Sequence, residues 1–195
     1  MFLKINQITP ELLFQAEWHF PISYKNTVTS IEWLIWRYLV SKYLETEKDL
    51  IWLLPEVDKS WIPIQINGNH WNISHKKDLV FIGVDSWGIG VDIEVFKERD
   101  RAFLNIFTDP EYEMLWWKNW NNFYILWTFK ESVIKYYKVT LDDMNKIHLI
   151  KVLQNAMNID DIYFNIQATL EYKGVQCYVI SWRCEDLIYS VCTCN

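Results

Sequence analysis

The chain has 195 residues and a mass of 23.7 kDa, with 51% hydrophobic and 23% charged residues and only five Gly and five Pro, which excludes disordered, collagenous and low-complexity classes. Area scaling for a folded chain of this mass buries about 70% of the unfolded surface, enough for one core or two small fused ones without disulfides. Nineteen Lys and Arg against 25 Asp and Glu leave a net charge of −6, mixed in sign in both halves (8 against 10 up to Gly90, 11 against 15 after it), so the basic stripe of a nucleic-acid binder is missing.

Thr9-Pro10-Glu11 reads as an N-cap followed by Pro at the first helical position, so a short helix is expected after an opening strand near Phe2 to Ile8. The start, Met1-Phe-Leu-Lys-Ile-Asn, lacks the basic-then-apolar order of a secretory signal, and a cytoplasmic location is expected. Thr29-Ser30-Ile31-Glu32 forms a capping box, and Ile31, Leu34, Ile35, Tyr38 and Leu39 recur at helical spacing after it. That segment carries Glu32, Arg37 and Lys42, so it does not read as a membrane span. Strand-like runs follow at Ile51 to Leu54, Trp71 to Ile73, Leu79 to Val84 and Ile89 to Val95. Asp85-Ser-Trp-Gly88 separates the last two, which predicts a hairpin between them.

Asp109-Pro110 predicts a helix start by the same cap-plus-Pro logic, and Asn121 or Asn122 is the predicted cap of a helix running to about Tyr137. From Ile162 to Leu170 apolar residues alternate strictly, Lys173-Gly174 turns the chain into Val175 to Trp182, and a last strand is expected near Leu187 to Cys192, giving a C-terminal β-meander. This order of elements fits the α+β class. Cys177, Cys184, Cys192 and Cys194 lack the paired C-x-x-C spacing of a zinc site and read as reduced packing residues on those strands.

Three segments carry chemistry. Asp92 and Glu94, in Gly90-Val-Asp-Ile-Glu94, project from one face of a predicted strand, and the flanking Ile89, Val91, Ile93 and Val95 favour a Mg²⁺ site over an exposed acidic pair. Glu131 and Lys135 stand one helical turn apart, which by itself reads as an exposed ion pair. Ser74 and His75, followed by Lys76 and Lys77, form a donor-rich stretch just past a predicted strand end, where a phosphate could bind.

In chain order these segments read Asn-x-Ser-His, Gly-Val-Asp-Ile-Glu and Trp-x-x-Lys-Glu-Ser-x-x-Lys, with Phe107-Thr108-x-x-Glu111 between the last two, and the series resembles the Sfp-type 4'-phosphopantetheinyl transferases. Direct resemblance spans about residues 61 to 135. It implies an α+β fold of two similar halves, 1–88 and 89–195, related by a pseudo-twofold, in a monomer with coenzyme A in the cleft between the halves. It also implies transfer of the phosphopantetheine arm of coenzyme A to a serine of an apo acyl or peptidyl carrier protein, releasing 3',5'-ADP. Asp92, Glu94 and Glu131 would hold Mg²⁺ (or Mn²⁺), Glu131 would act as base, and Lys135 would stabilise the diphosphate. Lys130 would position the helix among the cofactor-binding residues, and Ser74 and His75 would contact the 3'-phosphate and diphosphate.

The chain departs from the family pattern in two places. Ser74-His75-Lys76-Lys77 stands where the family commonly reads Ser-His-Ser-Gly. Basic residues are thin before the first long helix, Lys25 being the one near it, with Glu32 where a cation is expected, and Arg37 is a substitute unless it lies on the wet face of that helix. Docking of an acidic carrier on an acidic chain calls for a local basic or apolar patch, and Phe96 to Phe123, with Trp116, Trp117 and Trp120, is either that surface or ordinary core. The rival readings are a Mg²⁺-dependent nuclease, against which the lysine spacing speaks, and a catalytically degenerate module that binds coenzyme A or a carrier protein.

Overall fold

The computed structural model describes residues 1–20, 31–48, 55–59, 62–155 and 163–194. The expected capping box at Thr29 to Glu32, Lys25 and the strand at Ile51 to Leu54 fall outside the described residues or their described side chains. The chain divides into two compact units, Met1–Ser86 and Trp87–Asn195. The architecture is α+β with two sheets.

In the first unit β1 (Phe2–Gln7) leads into α1 (Pro10–His19), whose N-cap Thr9 accepts a hydrogen bond from the Leu12 amide as the cap-plus-Pro reading expects. Next come α2 (Ile31–Lys48), β2 (His70–Lys76) and β3 (Leu79–Asp85). The sheet order is β1-β3-β2, antiparallel throughout. Because β3 is central and covered on both faces, its inner residues are all buried, which explains the unbroken apolar run Leu79 to Val84. Ile35, Trp36, Val40 and Leu44 of α2 pack with Val80, Ile82 and Val84 into this unit's core.

The second unit holds β4 (Gly90–Val95), a 3₁₀ turn at Arg101–Ile106, α3 (Asp109–Met114), α4 (Trp120–Tyr137) and a second 3₁₀ turn at Leu141–Lys146. Four strands follow: β5 (Ile147–Asn155), β6 (Tyr163–Tyr172), β7 (Val175–Cys184) and β8 (Leu187–Thr193). Together with β4 they form a five-stranded antiparallel sheet in the order β4-β8-β7-β6-β5, and α4 packs on it, burying Ile125, Leu126, Phe129 and Val133 against Ile166, Ala168, Leu170 and Val179. Among the described residues no helix is long and apolar enough to cross a membrane.

Several expectations need correction. The predicted hairpin between Leu79–Val84 and Ile89–Val95 does not form: both edges of β3 are taken by β1 and β2, while β4 pairs with β8 in the other sheet. The hairpin partner of β3 is β2, turned at Lys77, which has φ 54°. Asn119, rather than Asn121 or Asn122, caps α4 by accepting from the Asn122 amide, and the buried Asn122 side chain donates instead to the Leu115 and Trp117 carbonyls. Thr108, one residue before Asp109, is the cap of α3. Strand β5 was not anticipated, because register shifts at Leu149/Lys151 and Val152/Gln154 break its alternation.

Candidate active site

Gly90 sets the geometry. A Cβ built there would lie 1.9 Å from the Ser132 carbonyl oxygen and 2.6 Å from the Tyr136 amide nitrogen, so only glycine lets α4 come this close to β4. Two residues on, on the same face, Asp92 meets the same helix. Its Oδ1 lies 2.6 Å from Lys135 Nζ, and the Glu131 Oε2 lies 3.8 Å from that ammonium. The cross-strand neighbour of Asp92 is Ser190, whose hydroxyl donates to Thr128 Oγ1 at 2.7 Å, a second pin between sheet and helix.

The carboxylates are crowded. Asp92 is 2% exposed, and the Glu131 carboxyl is pushed up to about 7, first by burial and then by the negative charges of Asp92 and Glu94, with Lys135 opposing. Lys135 thus lies closer to Asp92 on the sheet than to Glu131 one turn back along the helix, and the exposed i,i+4 pair suggested by spacing alone is replaced by a half-buried cluster. Glu94 acts on Glu131 more weakly than Asp92 does. Among the described residues the group of three whose donor atoms all lie within 4.8 Å of one another is Cys177, Cys192 and Cys194, not the carboxylates. The carboxylate set still fits a hard dication by its donor chemistry, since Asp92, Glu94 and Glu131 offer only carboxylate oxygens, and burial together with the charges of Asp92 and Glu94 raises the Glu131 carboxyl.

Lys130 stands outside this cluster. It is 3% exposed, its ammonium lies 2.6 Å from Glu111 Oε1, and it sits 5.0 Å above the Phe107 ring. Glu111 Oε2 in turn accepts from the Thr108 amide and hydroxyl, closing the start of α3. Burial pushes the Glu111 carboxyl up, but Lys130 and the two Thr108 bonds outweigh it and hold the group below its ordinary value. The Phe-Thr-x-x-Glu segment and Lys130 are therefore one device that locks α3 to α4.

Ser74 and His75 lie within β2, paired with Phe81 and Val80, rather than in a loop past its end. Ser74 is buried, while His75 is exposed with its ring 4.4 Å from that of Trp36. Arg37 is buried rather than on a wet face, with its guanidinium 5.7 Å from the Trp33 ring. Of the aromatic stretch, Trp116 and Trp117 are exposed, but Trp120 belongs to the core. A cleft of about 520 Å³ beside them has Phe96, Glu98, Arg101, Leu104, Lys118 and Trp120 among its lining residues. The cleft lies within the Phe96 to Phe123 segment singled out from sequence, although its shape, set by a 3₁₀ turn and a helix start, carries no periodic signal.

The edge strand of the five-stranded sheet and its covering helix thus bring Asp92 and Glu131 to either side of Lys135, with the charge of Glu94 acting on Glu131. Residues 88–192 match the 4'-phosphopantetheinyl transferase superfamily, and the chain belongs to that family. It is also 32% identical over 109 residues to a 4'-phosphopantetheinyl transferase of Aneurinibacillus migulanus, a match that covers 53% of this chain and 45% of that protein. The match thus spans less than half the length of this relative.

Proposed function

We propose that this chain transfers the 4'-phosphopantetheine arm of coenzyme A to a serine hydroxyl of an apo carrier protein. The observation that carries the reading is Lys135 set between Asp92 and Glu131, with Glu94 acting on the same group. Asp92, Glu94 and Glu131 would hold Mg²⁺, which when bound supplies Lewis-acid neutralisation of diphosphate oxygens. The serine oxygen forms a bond to the phosphorus that bears the pantetheine arm, and the bridging P–O bond breaks to release 3',5'-ADP.

Glu131 accepts the serine proton. Burial and the neighbouring carboxylates raise this carboxyl in the metal-free site, Mg²⁺ held there would oppose that shift, and an oxygen of Asp92 beside it keeps it oriented. Lys135 offers its ammonium to the charge that develops on the leaving diphosphate. Ser74 and His75 contact the phosphates of coenzyme A, and Lys130 acts as a positioning residue through Glu111. The exposed Trp116 and Trp117, with the neighbouring cleft, offer an apolar patch to a carrier, beside which Arg101 and the Asp109-paired Lys118 are the cations and Glu98 an opposing charge.

The test is to incubate the protein with coenzyme A, Mg²⁺ and a panel of apo carriers and to weigh the carriers by mass spectrometry. Each modified carrier gains one phosphopantetheine. Glu131→Gln abolishes transfer with an unchanged circular dichroism spectrum, and Asp92→Ala weakens the response to Mg²⁺. Unmodified carriers across a broad panel, or wild-type rates in either variant, overturn the assignment.

A further inference from the structure

Three of the four cysteines converge, although their spacing along the chain gives no such sign. In the β7–β8 register Val179 lies opposite Cys192 and Tyr178 opposite Thr193, so one further step sets Cys177 across from Cys194. Cys192 lies near the end of β8 and Cys194 one residue beyond it, two apart in the continuing alternation, so all three thiols leave the same face of the sheet. That face carries the core under α4: Cys177 and Cys192 are both 0% exposed, and Cys194 packs at the margin of the same cluster. Their sulfurs lie within 4.8 Å of one another. Tyr137, the last residue of α4, places its hydroxyl 3.4 Å from Cys177 Sγ and 3.8 Å from Cys194 Sγ.

We propose that Cys177, Cys192 and Cys194 form a thiolate site for Zn²⁺, with the Tyr137 hydroxyl as the fourth donor. Zn–S bonds of about 2.3 Å in a tetrahedron space sulfurs by about 3.8 Å. The upper bound of 4.8 Å on the present sulfur spacing is within about 1 Å of that value. Thiolates select soft or borderline ions, so this site and the carboxylate site divide metals by donor type, sulfur here and oxygen there. Charge decides between the thiophilic ions. Three thiolates leave a net −1 around a divalent ion and −2 around Cu⁺, and apolar surroundings favour the smaller residual charge. The ion would tie the end of β8 and the last turn of α4 to β7, so it acts on the fold and not on the transfer chemistry.

The test uses the full chain, reduced and stripped of metal under anaerobic conditions, in excess Mg²⁺ to occupy the carboxylates. Titration with Co²⁺ gives a thiolate-to-cobalt charge-transfer band that saturates at one equivalent and is erased by Zn²⁺, and Zn²⁺ raises the thermal midpoint. Cys194→Ser, at the half-exposed position, stays folded by circular dichroism and loses the band. Tyr137→Phe retains the band with altered visible intensity. Absence of the band in the reduced wild-type protein, or an undiminished band in Cys194→Ser, overturns the proposal. A Cys177–Cys194 disulfide that forms in air, together with a reduced protein that shows no band, would make the cluster a redox pair and overturn it as well.

Discussion

Glu111 and Lys130 carry more structural weight than their distance from the carboxylate cluster suggests. Both are nearly inaccessible and 2.6 Å apart, so removing one charge strands the other in the core. Glu111→Gln is expected to cost about 3–5 kcal/mol at neutral pH, whereas Glu111→Leu combined with Lys130→Met recovers most of that loss. The pH dependence follows from the lowered Glu111 value. The unfolded chain takes up this proton near the ordinary value of 4.5 and the folded chain only at lower pH, so the stabilisation is complete above that value and fades as pH falls through the folded one. Urea midpoints of wild type and Glu111→Gln measured from pH 7 downward should therefore converge in acid. A constant gap across that range would show that the pair is not the source of the difference.

At the scale of elements, Gly90 and α4 decide whether the site exists. The helix is buried on most of its circumference because it covers the sheet of the second unit, and its last turn runs directly over Gly90. Gly90→Ala drives a methyl group into helix backbone, which cannot rotate aside, and a cost at the upper end of the roughly 1–3 kcal/mol typical of overpacking is expected. The same displacement draws Lys135 away from Asp92, so transfer should fall more than stability alone predicts; denaturant unfolding and carrier mass analysis on one preparation separate the two effects. Full activity in this variant would mean that contact between β4 and α4 is not needed. The Gly90-Val-Asp-Ile-Glu segment was legible because period-two spacing puts both acids on one face, and the long helix was legible from its apolar pattern. The Asn119 cap was not, since neighbouring asparagines offer the same side chain and only tertiary partners for Asn122 distinguish them. The residues themselves did not show the break between β3 and β4, where only the family resemblance implied a division, because turn residues between two apolar runs look alike whether the chain folds back or moves to a second sheet.

Across the whole molecule, chain order hides which residues belong together. Asp92, Glu94, Glu131 and Lys135 all lie in the second unit, whereas Ser74 and His75 lie in the first, and each unit has its own apolar cluster. The thiol cluster was invisible for a related reason: cross-strand register, not sequence spacing, brings Cys177 beside Cys194. These facts predict how a fragment behaves. Residues 87–195 contain a complete sheet, its covering helix and a continuous core, so the isolated fragment should melt cooperatively and keep the protection of α4 amides against hydrogen exchange. It should nevertheless leave apo carriers unmodified, because it lacks the residues assigned to the coenzyme A phosphates. Transfer by the folded fragment at the rate of the intact chain would remove Ser74 and His75 from the proposed machinery, and a broad, non-cooperative melt would show that the second core depends on the first unit.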